Sequence, residues 1–366
     1  MSSTHTDPSG KPYPKHLKEV IGGIPGFCYD NPAWKGLWYL FRDLLMYAAV
    51  VAVLLSTDNI FFLVPMWLLS GLVVSALFVI GHDAGHRALF KKKWMCDWVG
   101  RITMLPSMHV YAAWLLGHNR VHHGFTVHQE RDFVWHPCTS EEYKDYSPMK
   151  KIMHRIEWSF FGAGIYYLIE VWWKKMIAFR APKKMRKDFN HDRLFLIGGV
   201  VTGIALFALF TVFLKGITGM AAVGYTAWLT VKIMIIPWLL FNYVIGAIVY
   251  LHHINPELKW HEHEAWTKFR AQMEGTMIFR VSPKILNIFL HDIMIHVPHH
   301  VDARIPFYNL DKAAKFIHAQ YPGVVRDVPL RIRDYMKATR MCKLYDFKTE
   351  TWMDYKGNEA TGPAAS

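Results

Sequence analysis

Cysteine is scarce in this 366-residue chain: Cys28, Cys96, Cys138 and Cys342 stand far apart, with no CxxC pair and no zinc-ribbon spacing. That argues against a disulfide scaffold and a thiolate-ligated metal. Residues 1–18 lack an apolar core and a small-residue cleavage site, so no secretory signal peptide is expected and the first hydrophobic span must act as signal-anchor. No repeat or low-complexity segment is present, apart from a tail over 357–366 expected to be disordered. Acidic residues are outnumbered, 29 against 42 lysines and arginines. Charge is missing altogether from 60–80 and from 194–214. With 52% hydrophobic residues the chain is too apolar to be disordered, and with 19% charged residues too polar to lie wholly in a bilayer. A membrane protein with large aqueous loops satisfies both numbers and the mean hydropathy of +0.10.

At ~1.5 Å per residue, each charge-free run is long enough to cross ~30 Å of hydrocarbon. Two further spans are expected. One covers 36–57, with Arg42 and Asp43 at the headgroups beside Trp34, Trp38 and Tyr39; the other covers 233–251, with Pro237 as a kink and Lys232 reaching for the surface. Residues 102–116, which contain Pro106 and His109, and the aromatic stretch 158–173 read as re-entrant or interfacial segments. The expected fold class is all-α: an integral membrane helical bundle of four transmembrane helices with a cytoplasmic helical cap. Its expected parts are an N-terminal segment (1–35), a membrane domain (36–319) and a C-terminal segment (320–366).

The turns between paired spans hold Lys215 as their only basic residue, whereas Arg87, Lys91, Lys92, Lys93 and Arg101 follow the second span and a second basic run, Lys174 to Arg193, precedes the third. By the positive-inside rule both termini and the central segment are cytoplasmic, in a bacterial inner membrane or endoplasmic reticulum. The net charge of +13 is thereby a surface and headgroup signal, and no nucleic-acid partner is expected.

Histidine is the residue in excess, with 21 copies. Eight fall in three tight runs, HDAGH at 82–86, HNRVHH at 118–123 and HVPHH at 296–300, all on the expected cytoplasmic side. A lone histidine near a membrane helix is more often structural than a ligand. Three runs at matching ends of separate spans reverse that weighting. On helices, His82 and His86 share a face, His118 and His122 share another with His123 about 100° away, and Pro298 interrupts the third run unless it occupies a first turn. His253 and His252, at the end of the fourth span, and His291 are further candidate ligands. Asp83, Asp132 and Asp292, with Glu130, are candidate acceptors for ring N–H groups. His5, His16, His154, His191 and His318 read as surface residues, His261 and His263 as loop residues, and His109, His128 and His136 as structural or supporting. A histidine-only site suits zinc, copper, iron or nickel; eight ligands exceed what one zinc needs, and a dinuclear iron centre can activate dioxygen.

The three runs in this order resemble the integral-membrane fatty acid desaturases, with the pattern HxxxH, HxxHH or HxxxHH, and HxxHH. The similarity covers 36–319. Its context, with Arg87-Ala88-Leu89-Phe90 after the first run, Glu130-Arg131-Asp132-Phe133-Val134-Trp135 after the second and His291-Asp292-Ile293 and Ile305-Pro306-Phe307-Tyr308-Asn309 around the third, is most similar to the delta-12 and omega-3 acyl-lipid group. Ala84, where cysteine is common, and the one-residue-longer second run depart from that pattern and leave regiochemistry open.

The resemblance implies two iron ions (Fe2+/Fe3+) on His82, His86, His118, His122, His123, His296, His299 and His300. A ninth ligand is implied in Leu251-His252-His253-Ile254-Asn255-Pro256, with His253 the better match. It implies aerobic desaturation: O2 and two external electrons remove two vicinal hydrogens from a membrane lipid acyl chain, leaving water and a cis double bond. With no heme or flavin domain expected, electrons would come from a separate donor of ferredoxin or cytochrome b5 type and its reductase. An acyl hydroxylase or another lipid or alkane oxidation on the same scaffold is the alternative. A zinc hydrolase or receptor would need other constellations, and a transporter would carry its ligands near the midplane.

Overall fold

The computed structural model describes residues 12–361, most of them helical, as two compact units. One unit comprises Pro32–Leu116 and Tyr167–Ile245; the other is built from 12–31, Gly117–Tyr166 and 246–361.

Among the described residues four helices are long and apolar enough to cross a membrane: Ala33–Ser56, Ile60–Gly85, Lys183–Leu214 and Gly219–His253. Only 17% of the most apolar window of the first and 11% of the third are buried, which leaves side chains such as Phe61 and Phe213 for lipid. The first pair is joined by a tight turn in which the Asn59 side chain accepts from Phe61 N–H (3.0 Å) and caps the second helix. The second pair turns through Gly216 and Gly219, both at positive φ.

Every expected span is longer in the structure than its uncharged stretch. The third helix begins at Lys183, so the basic residues up to Arg193 lie on the helix itself. The fourth runs unbroken from Gly219, and a π-helical stretch over Val231–Ile235 accommodates Pro237, whose missing N–H and bulky ring disturb the regular ladder. Lys232 does not reach for the surface. It is fully buried, and its ammonium pairs with Asp58 (2.7 Å) and donates to Thr57 O (3.2 Å). Residues 102–116 form no single helix: helix Lys93–Thr103 ends in turns, and a new helical run begins at Tyr111. Asp192 anchors this return by binding Arg101 (2.6 Å) and Ala112 N–H (2.8 Å).

Among its described residues the other unit holds the end of the fourth long helix, short helices and two small strand pairs. Ile278–Arg280 runs parallel to Asp327–Pro329, and Leu344–Asp346 antiparallel to Thr351–Met353. The C-terminal hairpin is part of the core: Tyr345 and Trp352 are buried, Trp260 N–H donates to Tyr345 Oη (3.0 Å), and Trp352 Nε1 donates to Leu258 O (3.2 Å). Residues 357–361, expected to be disordered, are held by bonds such as Ala360 N–H to Trp352 O (2.8 Å); the rest of that tail, like His5, lies outside the described residues. His154, expected at the surface, is buried, stacked on Trp158 and bonded to Tyr355 Oη (3.1 Å).

Candidate metal centre

In the membrane unit the second helix continues through the first histidine run, so His82 and His86 lie one turn apart with ring centroids 4.7 Å apart. Both rings also touch Trp114, at 5.3 and 5.7 Å. Gly85 makes that packing possible, since a Cβ there would lie 2.4 Å from the Trp114 ring. His82 Nδ1 donates to Asp83 (3.0 Å), which leaves the Nε2 lone pair for another partner.

The second run departs from the expected α-helical facing. Leu115–His122 is π-helical, with hydrogen bonds reaching five residues instead of four. His118 therefore meets His123, Nε2 to Nε2 at 3.2 Å, and His122 turns elsewhere. Its Nδ1 donates to both Asp132 oxygens (3.0 and 3.1 Å), and Asp132 also accepts from Val127 N–H (2.9 Å) and Val134 N–H (3.1 Å). In the third run Pro298 occupies the first turn of helix His296–Val301, where a missing N–H costs nothing. His296 and His300 face each other, Nε2 to Nε2 at 3.0 Å, while His299 points to His123 at 3.1 Å.

His253, on the last turn of the fourth helix, packs edge-on against His122 (4.6 Å) and His300 (5.0 Å). The ligand atoms of His122, His253 and His300 lie within 4.8 Å of one another. His252 stacks on His296, with centroids 3.8 Å apart. His291 packs on Phe307 (4.5 Å) outside the convergent groups found among the described residues, and Asp292 accepts from Asn287 Nδ2 (2.7 Å). Glu130 is exposed. His261, expected in a loop, is buried and donates through Nδ1 to Glu350 (2.9 Å); His128 pairs with His263, and His136 Nδ1 donates to Asp132 O (3.0 Å).

The donor set fits a metal on three observations. First, Nδ1 is engaged by an oxygen in His122, in His253 (Gly275 O, 3.1 Å), in His296 (Ile293 O, 3.2 Å) and in His300 (Gln272 Oε1, 2.7 Å). Each such bond fixes the tautomer in which Nε2 carries a lone pair, the usual arrangement behind a metal-bound imidazole. Second, His253 Nε2 is buried with no hydrogen-bond partner among the described residues. Third, His296 and His300, both with Nδ1 engaged, bring their Nε2 lone pairs to 3.0 Å, which is repulsive unless a cation lies between them. Two ligands at about 2.1 Å from one ion and at right angles stand about 3.0 Å apart. Burial and then the neighbouring imidazoles pull His296 and His300 well below the ordinary histidine range, which keeps them neutral and able to coordinate.

Sequence reasoning missed Gln272, the Gly275 and Ile293 carbonyls, and Trp260, whose Nε1 donates to His253 O (3.1 Å). Gln272 and Gly275 lie 28 and 22 residues from the histidines they hold, so the runs carry no local sign of them; Ile293 and Trp260 are 3 and 7 residues away, but a backbone carbonyl and a tryptophan carry no sequence mark of the role. Gly275 can approach because it has no side chain; a Cβ would lie 2.4 Å from Ala271 O.

Fold and site together define a multi-pass integral membrane protein with a histidine-only centre. A family model described as fatty acid desaturase matches residues 58–328. The chain belongs to the fatty acid desaturase family and is an oxidoreductase of that class. It is 30% identical over 337 residues to the sn-1 oleoyl-lipid 12-desaturase of Picosynechococcus sp., covering 90% of each chain. It is 30% identical over 316 residues to the sn-1 acyl-lipid omega-3 desaturase (ferredoxin) of Nostoc sp., covering 86% of this chain and 83% of that one. With the chloroplastic omega-6 fatty acid desaturase of Glycine max the identity is 26%, over 90% of this chain and 73% of the relative.

Proposed function

We propose that the chain is an oxygen-dependent acyl-lipid desaturase of the delta-12 or omega-3 type named for its relatives, placing a cis double bond in a membrane lipid. The observation that carries this reading is the convergence of buried Nε2 lone pairs, each backed by an Nδ1 hydrogen bond, in a site built only of imidazoles. We assign two irons to His82, His86, His118, His122, His123, His253, His296, His299 and His300; for the first two, the support is the motif and the ring pair backed by Asp83. Bound iron supplies the oxygen activation that a methylene with no acidic hydrogen requires. The protein supplies position and exclusion of water: His122, His253, His299 and His300 are buried, and their rings are fixed by neighbours instead of solvent.

Both termini and the boxes are assigned to the cytoplasmic side, from the basic residues at one end of the spans. Electrons then arrive from a separate acidic carrier, of the ferredoxin type named for the Nostoc relative or of the cytochrome b5 type, with its reductase. Charge reversal over Lys91, Lys92 and Lys93 is expected to raise the apparent KM for that donor; an unchanged donor dependence counts against docking there.

Expression in a host rich in monounsaturated lipid, followed by mass spectrometry of its acyl chains, tests the reading. A new cis double bond at the delta-12 or omega-3 position is expected. A new hydroxyl without a double bond would move the assignment to a hydroxylase, and no oxidised product with reduced donor and oxygen present would contradict it.

A further inference from the structure

Gln272 lies on the short helix Lys268–Met273, which starts at a Thr267 cap whose Oγ1 accepts from Arg270 N–H (3.2 Å). Its side chain is fully buried, an expensive place for an amide unless both ends are bonded. Both are. Nε2 donates to His123 O (2.9 Å), and Oε1 stands 2.7 Å from His300 Nδ1. A backbone carbonyl can only accept, so the amide nitrogen must face His123 and the oxygen must face His300. The reverse orientation would set two oxygens against each other. His300 Nδ1 is therefore the donor, and the ring's lone pair is on Nε2, the atom 3.0 Å from His296 Nε2. Thr126 supports the same junction, donating to His122 O (2.7 Å) and lying 3.2 Å from Gln272 Oε1.

We propose that Gln272 is a positioning residue that fixes the tautomer of His300 and ties the third histidine box to the second. Among the ring acceptors described above, Asp132 also secures backbone next to its own histidine, and the Gly275 and Ile293 carbonyls each secure one ring. Gln272 and Thr126 each join the His300 ring to the backbone of the second box, and Gln272 stands closer to His300 Nδ1, at 2.7 against 3.3 Å. The proposal rests on the reading that these histidines hold metal. Because Lys268 Nζ also donates to His123 O (2.8 Å), removing the amide leaves that carbonyl bonded, and the main effect falls on His300.

The test uses full-length protein in detergent, stripped of metal and titrated anaerobically with Fe2+, and separately with Co2+ as an optical probe. Gln272→Met keeps length and volume but removes the nearer acceptor, leaving Thr126 Oγ1 at 3.3 Å from His300 Nδ1; one of the two ions should then bind about 10–100-fold more weakly, and the Co2+ visible spectrum should change. In Gln272→Glu a protonated carboxyl keeps an acceptor opposite His300 Nδ1 and donates its O–H to His123 O in place of the amide N–H, and should restore binding to within a few-fold of wild type. Wild-type affinity and spectrum in Gln272→Met would overturn the proposal, as would equal losses in both variants, which would indicate packing alone. If Gln272→Met is not recovered folded, Gln272→Glu decides: near wild-type binding supports the proposal, and a loss of tenfold or more overturns it. A wild-type chain that binds no metal would instead defeat the metal-site reading itself.

Discussion

Mutation of the buried Asp132 should act on fold and metal site at once, because one carboxylate serves three different donors. It accepts His122 Nδ1–H and the N–H groups of Val127 and Val134. Val127 is a β-branched residue at φ 51°, a conformation that must be held by its neighbours. In Asp132→Asn one acceptor oxygen becomes an NH2, and whichever side it occupies, it confronts a backbone N–H. That mismatch costs about 1–3 kcal/mol of stability. Loss of the charged acceptor behind His122 should weaken metal binding about 10–100-fold, equivalent to about 1.4–2.7 kcal/mol. Asp132→Ala leaves both N–H groups without this acceptor and should cost about 2–6 kcal/mol. Anaerobic iron titration gives the affinity, and thermal unfolding of the metal-free protein gives the stability. A variant Asp132→Asn that is less stable but binds iron like wild type would show that Asp132 only holds the turn. No change in either quantity would refute the reasoning altogether.

Three further predictions concern the supporting structure. Burial, followed by Lys343 and Lys150, pulls His154 down to about 4, so below pH ~6.5 the unfolded chain takes up a proton that the folded chain refuses. Stability should fall by up to about 3 kcal/mol as the pH drops from ~6.5 to ~4; in His154→Phe unfolding curves should lose that slope, and an unchanged slope would show that another group is responsible. Although burial favours its protonated form, Glu350 is held well below the usual carboxylate range by the His261 N–H and by Arg270 and Lys259. Its contribution is present above pH ~4.5 and lost as the pH falls toward the folded value, so Glu350→Gln should cost about 2–3 kcal/mol at pH 7, with the gap closing on acidification. A gap independent of pH would rule this out. Asp58→Ala leaves the Lys232 ammonium buried with Thr57 O as its remaining described acceptor, whereas Lys232→Met leaves a carboxylate that is half exposed. The first should lower the Tm in detergent more than the second, by an amount equivalent to about 2 kcal/mol; the reverse order would mean that the pair is not what matters there.

The four membrane helices were legible because lipid demands long uncharged stretches, but their ends were not. Hydrophobicity marks where a helix meets lipid, and Lys183 to Arg193 and Lys232 are helical without meeting it. The three histidine runs were legible as motifs, yet the facing within the second depended on a π-helical ladder that pairs His118 with His123, which α-helical spacing does not suggest. Asp132 could be singled out because it lies near its histidine in sequence. Gln272 and Gly275 could not, because they reach His300 and His253 only through the tertiary fold. The same reason hides His154: nothing next to it in sequence announces Tyr355, 201 residues away.

Whether these imidazoles form an iron site is decided by metal analysis of the full-length protein purified anaerobically. Two irons per chain are expected, with a Mössbauer spectrum of nitrogen-ligated high-spin iron, and a lower iron content in His122→Ala without loss of membrane insertion. Stoichiometric zinc in place of iron, no bound metal, or an unchanged iron content in His122→Ala would contradict the iron assignment.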